Sequence, residues 1–151
     1  MRQKYLFTPL GIEHYYWKPT PKGLPDTEGG LFLRAEDLAK IGYLYLHNGV
    51  WGGKQIVSAD WVKQSLTPAI DAGDGWKYGF QWGLLPHGNP QRLMFAGLGF
   101  GGQTVQVVPE ENLIMVFTGW NILGNTNSIE RDPIKRILPG LRPHGCALGI
   151  H

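Results

Sequence analysis

Cysteine is almost missing from this sequence of 151 residues. Cys146 stands alone, so no disulfide can close within the chain, and thiol usage gives no redox compartment. Long apolar runs are missing too. No stretch of about 18 apolar residues occurs, and Met1-Arg2-Gln3-Lys4-Tyr5-Leu6-Phe7 has a basic start without the apolar centre or small-residue cleavage site of a leader. Neither a membrane span nor a signal peptide is expected, and the compartment stays open. An excess of one charge is also lacking. Lys and Arg number 14 against 12 Asp and Glu, for a net +2, and the cations are scattered singly, which gives no phosphate-gripping stripe and no nucleic-acid partner. No repeat of solenoid or propeller length is present.

Metal-binding patterns are absent as well. His14, His47, His87, His144 and His151 fall in no His-Glu-x-x-His or paired-Cys arrangement, so neither a metal nor another cofactor is expected. What the sequence does have is glycine, 22 residues, and tryptophan, 6 residues. That composition favours tight turns and large aromatic anchors over a helical bundle. A chain this long fits one domain and buries about 68 to 70% of its unfolded surface if it folds alone.

Local patterns divide the chain. Leu6 to Ile12 is apolar and then broken by Pro9 and Gly11, which suits a helix end running into a turn. Residues 17–30 hold Pro19, Pro21, Pro25, Gly23, Gly29 and Gly30 and read as a loop packed by aromatics. Between Arg34 and His47, Leu38, Ile41, Leu44 and Tyr45 share one helical face, with Glu36 and Asp37 in the first turn and Asn48-Gly49 after the last. Val50 to Ile56 reads as a hairpin turning at Gly52-Gly53. Ser58 is placed to cap a second helix that stops before Pro68.

Strands follow in a meander. Tyr78, Phe80 and Trp82 alternate with Gly79, Gln81 and Gly83; Leu93 to Phe95 is a short apolar run; Thr104 to Val108 and Leu113 to Thr118 are β-rich and joined at Pro109 to Asn112. The nearly continuous apolar run Leu113 to Phe117 predicts cover on both faces, by helices. Residues 126–151 read as a short helix at Asp132 to Leu138 and a tail, apart from a main unit at 1–125.

Hydrolysis through a covalent intermediate needs a hydroxyl or thiol beside a base. Ser58 in Val-Ser-Ala-Asp, Ser65 in Gln-Ser-Leu-Thr and Ser128 in Asn-Ser-Ile-Glu match neither Ser-x-x-Lys nor Gly-x-Ser-x-Gly. Glu110 and Glu111 sit at a turn, where a solvated pair is the simpler reading than a general acid and base. Phe95 to Gln103, with glycines at 97, 99, 101 and 102, leaves two readings open. The glycines are bulges and turns, or they let a ligand reach backbone N–H groups of the kind that stabilise an oxyanion.

The ordered set Leu6-Phe7-Thr8-Pro9-Leu10-Gly11, Gly29 to Lys40, Asn48 to Gly53, Val57 to Val62, Tyr78 to Trp82 and Ala96 to Gln103, followed by Val107-Val108-Pro109, resembles the C-terminal half of β-lactamase-related serine hydrolases. That family takes in class C β-lactamases, penicillin-binding proteins, esterases and 6-aminohexanoate-dimer hydrolases. The resemblance covers residues 5–120. It implies an α+β fold in which an antiparallel sheet is flanked by helices, the nucleophile-bearing helical lobe being missing here. It further implies an acyl-serine mechanism on a small-molecule ester or amide, in a cleft between sheet and lobe. The family's third motif, on the sheet edge beside the oxyanion hole, falls by its place in the order on Ala96, Gly97, Leu98 and Gly99. The expected partners are a second copy of the chain or a complementary N-terminal polypeptide. With Ser-x-x-Lys and Tyr-x-Asn absent, no catalytic residue is assigned, and a non-catalytic binding or interaction module, or a truncated gene product, of the same fold is the alternative.

Overall fold

The computed structural model describes residues 3–27, 29–73, 75–86 and 93–119, with Ile137 and Gly140. The chain opens with one π-helical turn at Gln3–Phe7, closed by a bond from Thr8 N to Gln3 O, the helix end expected there. A two-stranded ribbon follows, β1 (Tyr15–Trp17) against β2 (Leu31–Leu33) in antiparallel register, with Tyr16 opposite Phe32. Three-residue strands leave no periodicity to read, and the prolines between them obscured the pairing. Helix α1 (Ala35–Leu46) comes next, then the hairpin β3 (Val50–Trp51) and β4 (Lys54–Gln55), then α2 (Ala59–Ser65).

The rest is a six-stranded antiparallel meander in chain order: β5 (Ile70–Gly73), β6 (Trp76–Tyr78), β7 (Gly83–Pro86), β8 (Leu93–Leu98), β9 (Gln103–Val108) and β10 (Leu113–Thr118). Among the described residues, β5 and β10 are its outer strands. The alternation across Tyr78, Phe80 and Trp82 is not one strand. Gly79 N donates to Trp82 O and Gln81 has φ 67, so the chain reverses there between β6 and β7.

α1 forms where the spacing of apolar residues predicts it, but its buried surface is split. Leu38, Tyr45 and Leu46 pack on the sheet core of Trp82, Leu84, Phe95, Val105 and Val107. Ile41 and Leu44 enter a second core with Phe7, Leu10 and Ile12, backed by Tyr15, Trp17 and Trp51. Burying a side chain such as Leu44 or Phe95 completely stabilises the fold by about 1.5–3 kcal/mol each. Gly42 lets helix and sheet approach, for a Cβ there would lie 3.1 Å from methyls of both Ile114 and Val105. At the end of α1, Asn48 (φ 51) and Gly49 (φ 83) turn the chain into the hairpin. α2 starts on Ser58, whose Oγ accepts from Trp61 N at 3.3 Å.

One face of β10 is covered by α1, through Ile114 and Val116. On the other, Met115 is buried with Met94 and Val108. The expected division at residue 126, the helix at 132–138, Ser128, Cys146, His87, His144 and His151 lie outside the described residues, except that Ile137 and Gly140 are each helical. No described helix is long and apolar enough to cross a membrane.

Candidate functional site at the end of the sheet

Ala96, Gly97, Leu98 and Gly99 all belong to the last residues of β8 and the turn after it. β8 is an inner strand, paired with β7 and β9, so the expectation of a sheet-edge strand is corrected. The two pairings do not end together. With β7 the register stops at Gly83 opposite Ala96, whereas with β9 it runs on to Leu98 opposite Thr104, and Gly99 N still donates to Gln103 O at 2.7 Å. Beyond Ala96 the strand is therefore paired on the β9 side only, the chain before Gly83 reversing at Gln81.

Backbone groups along an antiparallel strand point alternately to either neighbour. Since the N–H of Gly99 points to β9, that of Leu98 points the opposite way. The Leu98 N–H therefore lies on the side away from β9 and beyond the last pair that β8 makes with β7, a direction set by the register of the neighbouring strands.

The four residues do different things. Ala96 is fully buried between Gly83 and Gln106 and presents no side chain to a ligand. Gly97 is a packing position, since a Cβ there would lie 3.1 Å from Val105 Cγ1 and 3.6 Å from Trp82 Cζ3. Leu98 is half-exposed, and Gly99 is exposed at the start of the turn. Gly101 and Gly102, both at φ 89, hold the turn in a backbone region that side chains disfavour. Gly97 thus serves close strand packing, and Gly101 and Gly102 serve the turn.

Around this end of the sheet lie apolar groups not singled out by the sequence. Phe100, at the turn's tip, is 83% exposed, and Phe80, in the β6–β7 turn, is half-exposed against Trp61 of α2 with ring centroids 5.6 Å apart. α2 is fastened to the same end, as Phe80 N donates to Ser65 O at 3.0 Å. Ser65 itself is buried with its Oγ donating to Val62 O, and Ser58 Oγ accepts from Trp61 N at the start of α2. Among the described residues no three His, Cys, Asp or Glu gather as a metal-ligand set.

The segment was expected to border a cleft. One cavity lined by described residues, about 500 Å³, lies away from this segment, between α1, the β3–β4 hairpin and Ile114. Ile114 is at the far end of β10 from Thr118, the residue opposite Gln103, so roughly 13 Å of strand separates them.

No family model matches the chain. Its fold does match solved structures. A protein assigned as a 6-aminohexanoate-dimer hydrolase from Bacillus anthracis is 25% identical with a TM-score of 0.69, over 93% of this chain and 35% of that one. The octameric penicillin-binding protein homologue of Pyrococcus abyssi has the same TM-score at 18% identity, over 91% of this chain and 36% of its own. A penicillin-binding protein of Bacillus halodurans aligns at 16% identity and a TM-score of 0.56, over 81% and 44%. The described residues thus form part of the α+β fold of β-lactamase-related serine hydrolases. The chain spans about a third of the length of the first two structures.

Proposed function

We propose that this polypeptide supplies the sheet-side wall of an acyl-serine hydrolase site acting on a small carboxylic ester or amide. What supports the reading is the Leu98 N–H, which faces away from β9 beyond the last pair that β8 makes with β7. A preorganised backbone donor stabilises the oxyanion of a tetrahedral intermediate without having to reorient during the reaction, and loss of one such donor lowers turnover about 100- to 1000-fold.

The role of each residue follows from its placement. Leu98 offers its N–H. Gly97, pressed against Val105, fixes the strand that aims it, and Gly99, through its bond to Gln103, sets the alternation that turns the Leu98 N–H away from β9. Phe80 and Phe100 give the rim an apolar surface for the uncharged part of a substrate. No cation stands at Ala96, which suits a neutral ester or amide better than a substrate with a carboxylate to be paired.

No Ser-x-x-Lys or Tyr-x-Asn is present, so the attacking hydroxyl and its base belong to another polypeptide segment, and the chain by itself is inert. The test is to read the nucleotide sequence upstream in frame and express the longest open frame. A Ser-x-x-Lys in that frame, with p-nitrophenyl ester turnover that falls when residue 98 is proline and so lacks its N–H, supports the assignment. Turnover unchanged by Leu98→Pro in a folded protein contradicts it.

A further inference from the structure

The end of α1 makes two demands on its sequence. The helix closes with Asn48 N donating to Tyr45 O at 3.3 Å and Gly49 N donating to Leu44 O at 2.7 Å, the paired bonds of a Schellman motif. The first demand falls on residue 48, whose backbone is left-handed at φ 51, a region that asparagine enters more readily than most residues with a side chain. The second falls on residue 49, at φ 83, where a Cβ would collide with Val57 O, so glycine alone fits. Met together, they set glycine behind an exposed asparagine, and Asn48 is the one asparagine of this sequence that glycine follows.

That dipeptide is chemically labile. With no side chain at residue 49 to hinder it, the Gly49 nitrogen can attack Asn48 Cγ: the N–Cγ bond forms, the Cγ–Nδ2 bond breaks, and ammonia leaves with the proton of the Gly49 N–H. Water then opens the resulting succinimide at either carbonyl, giving aspartate or a β-aspartyl linkage. In the folded chain, both polar atoms of the peptide unit that must turn for this attack are already held. Gly49 N–H is bonded to Leu44 O, and Asn48 O accepts from Gln55 Nε2 at 2.7 Å. Gln55 Nε2 also donates to Val57 O, and Ile56 N donates to Gly49 O at 2.8 Å, so the chain leaving the β3–β4 hairpin clamps the unit from its far side.

We infer that Asn48-Gly49 is a site of spontaneous deamidation whose reaction waits on the hairpin lifting from the end of α1, with the Gln55 amide as the latch. Asn112 supplies the contrast. It is left-handed as well, at φ 48, but the side chain of Leu113 hinders the same attack there. The β-aspartyl product carries one extra backbone carbon between residues 48 and 49, and Gly49 has no room beside Val57 O to absorb the shift. A helix end so modified does not reclose, which turns a reversible opening into a permanent one. The inference uses no residue of the candidate site and stands apart from the role assigned to Leu98.

The purified 151-residue chain is held at mildly alkaline pH with and without urea, and the tryptic peptide 41–54, whose one asparagine is Asn48, is followed by mass for the exchange of NH2 for OH. In urea, Asn48 is expected to react faster than Asn112. In native buffer its rate is expected to fall about tenfold or more, because only the opened fraction reacts. Gln55→Ala is expected to raise the native rate about two- to tenfold, the worth of one hydrogen bond, and to leave the rate in urea unchanged. If Gln55→Ala does not fold, amide exchange at Gly49 of the unaltered chain decides, its protection being expected to match the factor by which the native rate is slowed. Equal rates with and without urea, an unchanged native rate in folded Gln55→Ala, an unprotected Gly49 amide, Asn48 no faster than Asn112 in urea, or β-aspartyl chain that regains Gly49 protection once urea is removed would each overturn the inference.

Discussion

Asp37, fully buried in the first turn of α1, receives Lys40 Nζ at 2.7 Å, and the same ammonium donates to Gly11 O at 3.1 Å. One ion pair thereby ties the helix start to the N-terminal segment whose Phe7, Leu10 and Ile12 form the second core. Arg34 Nε adds a further contact to Asp37 at 3.3 Å. Burial pushes the Asp37 carboxyl pKa up, but the hydrogen bonds from Lys40 and Arg34 outweigh it and hold the group below the ordinary aspartate value.

The sign of the pH dependence follows. With the folded pKa below the unfolded one, Asp37 stabilises the fold fully above the unfolded value, and that contribution is lost as pH falls through the folded pKa. Asp37→Asn is expected to cost about 1–3 kcal/mol near neutral pH, with the difference from the unaltered chain shrinking below about pH 4. Urea unfolding at a series of pH values measures this. A difference independent of pH down to the acid limit contradicts the assignment.

Gly79 is held at the end of the sheet by α2. A Cβ at this position would lie 2.2 Å from Ser65 O, so Gly79→Ala must push α2 away from the β6–β7 turn. Its expected cost is more than about 1 kcal/mol, in the range of strained insertions. Thermal unfolding reads it, and a stability equal to that of the unaltered chain would show that α2 is not seated there.

Gly42→Ala sets two effects against each other. Alanine gains about 1 kcal/mol of helix propensity over glycine. Its methyl, however, would meet Ile114 and Val105 at 3.1 Å and Val107 at 3.2 Å. Overpacking of this kind typically costs about 1–3 kcal/mol, so net destabilisation is expected. A rise in stability by chemical denaturation contradicts the close seating of α1 on β9 and β10.

Ser58→Ala separates a cap from a catalytic hydroxyl. Loss of the bond from Trp61 N is expected to lower stability by about 1 kcal/mol and, in any upstream-extended frame that turns over ester, to leave that turnover unchanged. Loss of turnover with stability intact would reverse that assignment.

How far the sequence foretold this structure depends on where each signal lives. α1, α2, β9 and β10 were readable because their apolar residues recur at helical spacing or in β-rich runs bounded by Ser58, Gly49 and Pro109. The ribbon β1–β2 was not, since three residues a side are held by Phe7 stacking on Trp17 and meeting Tyr15 edge-on rather than by local preference. The alternation of Tyr78, Phe80 and Trp82 suggested one strand and concealed the reversal at Gln81. The candidate site depends on that reversal, because the pairing of β7 with β8 stops short of it and leaves Leu98 paired on the β9 side only. Sequence order located the segment Ala96 to Gly99, but the burial of Ala96 and the direction of the Leu98 N–H come from tertiary register, which residue types do not encode locally.

In the proposed role the chain is a wall without its nucleophile, and ester turnover by the purified 151-residue chain tests this most directly. With p-nitrophenyl butyrate, release of nitrophenol at the rate of buffer alone is predicted, unaffected by a serine-directed phosphonate. Turnover well above buffer that the phosphonate abolishes, with the label recovered on Ser58, Ser65 or Ser128, would contradict it.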